Sequence, residues 1–419
     1  MKPLILRGDA RTLPVADESV DLIVTSPPYF GLRSYQDGGE HYAGQLGVEA
    51  SPREFVDALI DCTREMVRVL KPTGSIFVNL GDKYAAAGGH TSPGERVSPL
   101  LNPMGRKGQD QREGHVRHYA GSTKVPAGFR AKSLLGIPWR FAIGCIDDLG
   151  LILRGELIWS KANGMPESAT DRVRRSHETW FHLTREQRYF AAVDEIREPP
   201  SGYARPNGTG REPRGGQKAR KMLDTVNPLG RVPGSVWEIA TQPLKIPAEL
   251  GVDHFAAFPM EWPRRLIQGW CPREICTACG EGRRPVVTKS RDTYYGAGRW
   301  RSGRQQRDDG AATVGWAMDE KWSTTVAIDG YSCACPDTTA PSTPGVVLDP
   351  FGGTGTTALV ATMLGRTGIS VDLSADYGRL ATWRCSDPKE RARAAGTDPT
   401  KVLGEIPGQA ALFDHEATA

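Results

Sequence analysis

Three groups of residues in this 419-residue sequence have types and spacings that could do chemistry. The first is Thr25-Ser26-Pro27-Pro28-Tyr29. Two consecutive prolines give a stiff backbone without N–H donors, so its carbonyl oxygens are free to accept. A rigid acceptor beside an aromatic face suits a planar ring with an exocyclic amine: Ser26 and the Pro27 carbonyl hold the NH2 and Tyr29 stacks the ring. A plain proline turn would use the same residues. The second group is Asp349-Pro350-Phe351-Gly352-Gly353-Thr354-Gly355-Thr356-Thr357, after an apolar run, with Asp372 closing the next run. Such a glycine turn lets a cofactor approach backbone N–H groups, and an acid at the end of the following strand accepts from ribose hydroxyls. Gly353-x-Gly355-x-x-Ala358 also fits the nicotinamide dinucleotide fingerprint, and an ordinary βα turn is the plain alternative, so the loop alone indicates adenosine and no more. The third group is Cys276-x-x-Cys279-Gly280 with Cys333-x-Cys335: four thiolates suit tetrahedral Zn²⁺ in a closed structural site. The short second spacing, the long gap and a neighbouring Cys271 keep reduced, unpaired thiols as the alternative.

The elements that must position these groups follow from periodicity. Pro3–Leu6 and Val20–Val24 read as strands. Pro52 opens a helix with Phe55, Val56, Leu59, Ile60, Met66, Val67 and Leu70 on one face, and Lys71-Pro72-Thr73-Gly74 stops it before a strand at Ser75–Leu80. Pro138 starts another helix that Gly150 closes; Leu151–Leu153, Glu156–Trp159 and His177–Leu183 are extended; Trp262–Trp270 is helical. Near the far end, Val346–Leu348, Thr356–Leu364 and Thr367–Val371 read strand, helix, strand. Alternating strands and helices predict an α/β fold with a parallel sheet. Residues 90–132, 199–231 and 271–345 show no core periodicity and read as loops or insertions.

Composition limits the class. With 39% hydrophobic and 24% charged residues and a net charge of +4, the chain is not a disordered polyanion, a collagen-like repeat or a membrane protein. No run approaches a membrane span and the first residues lack the apolar core of a signal peptide, so a cytoplasmic protein is expected. Eight cysteines in so long a chain make no disulfide scaffold, and Cys62, Cys145 and Cys385 read as inert packing residues. Residues 90–135 and 197–231 each carry eight Lys/Arg against three Asp/Glu, so the two stretches together exceed the charge of the whole chain. Such localised fields fit a DNA groove, with solvated loops as the alternative.

Taken together, the motifs resemble the amino-methylating DNA methyltransferases of the permuted β group. Gly8-Asp9 matches the family's adenine-contacting motif, Thr25–Tyr29 its catalytic motif, Asp349 to Thr357 its cofactor motif and Asp372 its ribose-binding acid; His254-Phe255-Ala256-Ala257-Phe258-Pro259 resembles the segment beside the methionine end of the cofactor. Gly352 departs from the family, where many members carry a different small residue. The resemblance implies a Rossmann-like methyltransferase sheet, mostly parallel with one antiparallel strand, bearing inserted DNA-recognition and zinc-knuckle-like segments. It implies a catalytic set of Ser26, Pro27, Pro28 and Tyr29, and S-adenosylmethionine bound by Asp9, Asp349, Pro350, Phe351, Gly353, Gly355, Thr356, Thr357, Asp372, His254 and Phe255. Zn²⁺ is expected at Cys276, Cys279, Cys333 and Cys335. Asn163-x-Met165-Pro166-x-Ser168, Asp171-Arg172 and Ser176-His177-Glu178 also resemble a segment of the family; they line a DNA cleft or only organise the strand that follows.

The divisions expected on this basis are 1–82 for the half with the Pro-Pro-Tyr turn, 83–135 for a basic loop insertion, 136–196 for the continuing sheet and 197–250 for a basic target-recognition insertion. Then come 251–270 for the cofactor-side helix, 271–345 for the cysteine-containing insertion, 346–390 for the cofactor-binding half and 391–419 for a C-terminal tail. A Ser start to the catalytic motif resembles the cytosine-N4 members and predicts transfer of a methyl group to the N4 amine of cytosine flipped out of duplex DNA, with adenine N6 as the alternative. Direct transfer needs no cysteine nucleophile, and no Pro-Cys motif of a carbon-5 enzyme is present. The expected partners are double-stranded DNA and a cognate restriction endonuclease, with no membrane. Two other classes compete. A nicotinamide-dependent oxidoreductase leaves Thr25–Tyr29 unexplained, and a non-catalytic zinc-containing DNA-binding protein would not need Ser26–Tyr29 and Asp372 intact.

Overall fold

The computed structural model describes residues 2–31, 36–37, 40–41, 44–85, 125–164, 170–198, 229–252, 257–295, 303–306, 312–315, 320–337 and 339–399. Most of both basic stretches, and His254 and Phe255, lie outside them. The chain divides into two compact units, residues 1–190 with 235–273 and 344–419, and residues 191–234 with 274–343.

The first unit is built on one eight-stranded sheet. Its elements are β1 (Leu4–Arg7), β2 (Val20–Thr25), α1 (Pro52–Val69), β3 (Leu70–Leu80), α2 (Ile137–Asp147), β4 (Ile152–Ser160), β5 (His177–Thr184), β6 (Val236–Glu238), α3 (Glu261–Trp270), β7 (Val346–Asp349), α4 (Thr356–Met363), β8 (Thr367–Asp372), α5 (Ala375–Ser386) and α6 (Pro388–Ala395). The strand order is β1-β8-β7-β2-β3-β5-β4-β6. β5 runs antiparallel to both its neighbours and every other pairing is parallel, as the resemblance implies.

A parallel sheet covered on both faces needs strands that are apolar throughout. β2 comes close to that demand: all six of its residues are buried, with Ile23 in one core cluster and Leu22 and Val24 in another, while its two polar residues are hydrogen-bonded, Asp21 accepting from the Val346 N–H and Thr25 donating to Asp349. Because side chains alternate along a strand, Ile76 and Val78 of β3 join Ile23 while Phe77 joins Leu22. α1 covers the Ile23 side. Ser51 caps it by accepting from the Glu54 N–H, Pro52 opens its first turn, and Phe55, Val56, Leu59, Ile60 and Met66 are buried. On the other side, the Trp262 ring of α3 stacks on Trp180 and Trp237 at 4.9 Å from each.

Three features differ from the sequence reading. β3 begins at Leu70, not Ser75: Lys71-Pro72-Thr73-Gly74 ends the helix and is taken directly into the strand, and a register shift between Val20 and Leu22 absorbs the irregularity. α5 and α6 pack behind the glycine loop where no helix was expected. Residues 271–345 are not irregular. In the second unit, Arg284–Tyr295 and Glu320–Ser332 pair as a long antiparallel hairpin from Arg284↔Ser332 to Tyr295↔Glu320. Its described side chains near the base are mostly half-buried or exposed, so no apolar alternation marks it.

Candidate active site

β7 and β2 lie side by side in the sheet, Leu348 opposite Ile23, so the glycine loop and the Pro-Pro-Tyr turn leave the same edge. From this pair the order runs outward to β8 on one side and β3 on the other, the topological switch where open α/β sheets leave a crevice outside the strand ends. Asp349, fully buried, joins the two loops. Its carboxylate accepts from the Thr25 hydroxyl at 2.6 Å, the Thr357 hydroxyl at 2.9 Å and the Phe351 N–H at 3.1 Å. Burial pushes its carboxyl up to about 6.

A cavity of about 600 Å³ opens above this joint, within the size range of small-molecule sites. The structure brings Ser26, Pro27, Pro28 and Tyr29 to its wall together with Asp9, Pro350, Phe351, Gly353, Thr356 and Asp372. It does not bring Asp349 or Thr357 there; both face inward and hold the loops together. Nor does Gly355 line the cavity. It precedes α4 with φ +71°, and a Cβ there would sit 3.0 Å from that of Ala381. Gly352, the departure from the family, has no room for a side chain, since a Cβ would fall 1.8 Å from the Ser370 hydroxyl. Ala257 and Phe258, just after His254 and Phe255, reach the wall.

Asp372 and Asp9, two of the acids at the cavity, are both fixed. Asp372 accepts from the Gly353 and Ser374 N–H groups at 2.8 and 2.9 Å, while burial raises its carboxyl above the usual range. Each oxygen retains a lone pair for a ligand hydroxyl. The Arg11 guanidinium, 2.6 Å away, holds the Asp9 carboxyl below the usual range.

Several residues around the cavity were not singled out in the sequence. Asn79 lies at the end of β3, 1% exposed, in the apolar run Ile76-Phe77-Val78-Asn79-Leu80. A polar residue inside a buried strand was the available signal. Its amide nitrogen faces the Tyr29 hydroxyl at 2.6 Å and the Glu178 carboxylate at 3.0 Å, and its oxygen accepts from the Trp180 indole N–H at 3.1 Å. The Tyr29 hydroxyl donates to Glu178 at 2.8 Å, and Glu178 pairs with Lys161. Glu178 therefore does more than organise β5. Arg384 of α5, buried with its partner Glu390, donates to the Thr354 and Thr356 hydroxyls at 2.7 and 2.6 Å and fixes them at the cavity wall.

In the second unit the Sγ atoms of Cys276, Cys279, Cys333 and Cys335 all lie within 4.8 Å of one another. Tetrahedral Zn–S bonds of about 2.3 Å require separations of about 3.8 Å, so the four thiols fit one ion with small adjustments. The knuckle is made by the Gly280 N–H donating to the Cys276 carbonyl at 2.8 Å, with Gly280 at φ +74°. Backbone N–H groups of Cys279 and Ala278 pull the Cys276 thiol down to about 6, which favours the ligating thiolate. Cys271 is not part of the cluster; it is buried in the first unit, donating to the Pro272 carbonyl. Cys62, Cys145 and Cys385 are buried and burial raises their thiols, as packing residues require.

Comparison with known proteins places these features in a lineage. Residues 20–274 and 338–382 match the N6/N4 methyltransferase family, described as DNA methylase. The Type II methyltransferase M.SmaI of Serratia marcescens is 33% identical over 265 residues, which cover 63% of this chain and 73% of that protein. M.XycI of Xanthomonas campestris pv. cyanopsidis, also a Type II methyltransferase, is 34% identical over 274 residues, 64% of this chain and 74% of that protein. Among solved structures, PvuII DNA methyltransferase (cytosine-N4-specific) aligns over 96% of this chain and 93% of its own at 16% identity with a TM-score of 0.48. No helix among the described residues is long and apolar enough to cross a membrane. With the family match spanning both the Pro-Pro-Tyr turn and the glycine loop, the chain belongs to the N6/N4 amino-methyltransferase family of DNA methylases.

Proposed function

We propose that this protein is an S-adenosylmethionine-dependent DNA methyltransferase that methylates the exocyclic N4 amine of cytosine in duplex DNA, as a Type II modification enzyme with a cognate restriction endonuclease. The observation that carries this reading is the convergence of Ser26–Tyr29 and the glycine loop with Asp372 on one cavity. The order of the motifs, catalytic turn first and glycine loop last, supports the permuted β arrangement. The bound methyl donor supplies an activated methyl group on a sulfonium. The cavity fits its adenosine part: Asp372 accepts from ribose hydroxyls, Phe351 and Pro350 offer apolar walls, and Gly353 leaves the backbone accessible.

The chain's own groups then act on the base. An exocyclic amine is a weak nucleophile because its lone pair is delocalised into the ring. The Ser26 hydroxyl and the Pro27 carbonyl hold its N–H groups and favour a pyramidal nitrogen, and Tyr29 stacks the flipped ring. Alignment of amine and methyl supplies much of the rate, since effective molarities reach about 10⁵ M or more. No cysteine lines the cavity among the described residues, in keeping with direct transfer. Ser26 at the head of the motif favours cytosine N4, and adenine N6 is the second reading. The basic insertions, within 83–135 and 197–250, supply phosphate contacts that offset the cost of base flipping. The four clustered cysteines would hold one structural Zn²⁺ with no catalytic part.

The test is incubation of the purified protein with labelled S-adenosylmethionine and unmethylated genomic DNA, followed by digestion and mass spectrometry of the nucleosides. N4-methylcytosine is expected. N6-methyladenine would keep the family and overturn the base assignment, and absence of methyl-donor binding by calorimetry would overturn the reading altogether.

A further inference from the structure

The Tyr29 hydroxyl is bound on both sides: it donates to Glu178 at 2.8 Å and faces the Asn79 amide nitrogen at 2.6 Å. The ring itself lies flush on the backbone, since a Cβ on Gly81 would fall 2.6 Å from the ring carbon Cε2. Glu178 is in turn fixed by Lys161, whose ammonium stands 4.4 Å from the centre of the Trp159 ring. Trp159 is anchored by its indole N–H donating to the Ile239 carbonyl at 2.7 Å. Asn79 is held by Trp180, which is fully buried and stacked on Trp262. The Ser26 hydroxyl lies 3.3 Å from the same Asn79 amide group. The ends of β2, β3 and β4 and the start of β5 thus converge on one hydroxyl, and Asn79, Lys161 and Glu178 all reach the cavity wall.

A stacking ring alone would not need this. Phenylalanine stacks as well, and burying a carboxylate and an ammonium at a cavity costs desolvation that their pairing must offset. We propose that Glu178, held by Lys161, is a positioning residue for the target base: it fixes the Tyr29 hydroxyl, and so the plane on which the base stacks, and the shared Asn79 amide ties that plane to the Ser26 hydroxyl. The inference deepens the methyltransferase reading and rests on it. Glu178 acts through Tyr29 and takes no proton from the base.

A double-mutant cycle tests it. Full-length wild type, Glu178→Ala, Glu178→Gln, Tyr29→Phe and the Tyr29→Phe/Glu178→Ala double variant are assayed with tritiated S-adenosylmethionine and unmethylated genomic DNA. Their methyl-donor affinity is read by calorimetry and their stability by thermal unfolding. Glu178→Ala and Tyr29→Phe should each lower kcat by about 10²-fold, the cost of a misplacement of about 1 Å, with donor affinity unchanged. Glu178→Gln should recover about tenfold of that loss, because its amide oxygen still accepts from the Tyr29 hydroxyl. In the Tyr29→Phe background, Glu178→Ala should cost less than about threefold further, since no hydroxyl remains to be fixed. Equal losses from Glu178→Ala in both backgrounds, an unaffected kcat, or a loss that only tracks a lowered Tm overturns the inference while leaving the methyltransferase reading intact. A wild-type protein that binds no methyl donor defeats both.

Discussion

In the first unit, β2 is buried along its whole length, its side chains shared between two core clusters, and the largest fully buried side chains include Trp180, Trp262, Phe55 and Phe77. In the second, the described residues bury among their apolar side chains only Ala192, Cys276 and Ala340. What the second unit has instead is a ladder of backbone hydrogen bonds between Arg284–Tyr295 and Glu320–Ser332 and four thiols gathered at the hairpin's base. A two-stranded hairpin is by itself marginal in water. The contrast teaches that the two units need different sources of stability: the first has apolar burial and a few buried polar ties, and the second has four clustered thiols whose spacing fits one metal ion.

The largest effect should come from breaking the second source. The protein should carry one zinc per chain, and because metal ligation contributes on the order of 10 kcal/mol to small zinc-folded segments, a chelator or the double substitution Cys279→Ser/Cys335→Ser should open residues 274–343 to protease. Metal analysis with mapping of the cleavage sites checks this. A metal-free protein whose hairpin resists protease equally well with chelator would abolish the contrast.

Next in size is a polar tie of the first unit. Arg384→Met leaves the buried Glu390 paired only with the half-exposed Arg393 and releases the Thr354 and Thr356 hydroxyls, so the loss should fall toward the lower end of the about 3–5 kcal/mol that breaking a buried pair costs. Urea unfolding should show the loss with zinc content unchanged; a parallel loss of zinc would mean the two units are not separately stabilised.

Asp349→Asn sharpens the same distinction through pH. Burial raises the Asp349 carboxyl from 3.8 to about 6, so as pH rises the unfolded chain gives up this proton first. Native stability from this group therefore falls between about pH 4 and pH 6, by about 3 kcal/mol, and stays lower above. The asparagine variant should lack that slope, and its difference from wild type in denaturant midpoint across this pH range is the measurement. The smallest effect is Asp372→Asn, which should weaken binding of S-adenosylmethionine by about 1.5–3 kcal/mol in calorimetry, the worth of a hydrogen bond to a charged group. Unchanged affinity would remove Asp372 from the ligand.

The sequence was most informative where burial is one-sided or complete. Val20–Thr25 announces itself as a short, almost continuous apolar run buried on both sides, and Pro52–Val69 and Glu261–Trp270 because each puts its apolar residues on a periodic face. α5 was hidden by its own chemistry: the face that buries Tyr377, Leu380 and Ala381 also buries Arg384, and a buried arginine interrupts the apolar pattern. The hairpin was hidden because its described side chains bury neither face. Around the cavity, the motif residues Ser26–Tyr29, Pro350, Phe351, Gly353 and Asp372 could be named in advance because local turn chemistry demands their types. The roles of Asn79, Lys161 and Glu178 could not, since the Tyr29 hydroxyl meets partners 50 and 149 positions away and only the sheet order brings them together. Asp349 and Thr357 were recognised as part of the motif, but their inward direction is a property of the packed β2–β7 pair.

The hydrogen bond from Thr25 to Asp349 spans 324 positions, and β1 finds its one neighbour among the described residues of the sheet, β8, at Thr367–Asp372. Chains are synthesised at about 5–20 residues per second, so roughly 16–65 s pass between the emergence of the Pro-Pro-Tyr turn and that of the strand it must join. Through that interval β2, an apolar strand destined for the middle of the sheet, lacks one of its two neighbours, a state open to mispairing with other chains. A nascent chain consequently holds a finished Pro-Pro-Tyr turn and no site, and the delay before its first turnover is set by the length of the intervening insertions.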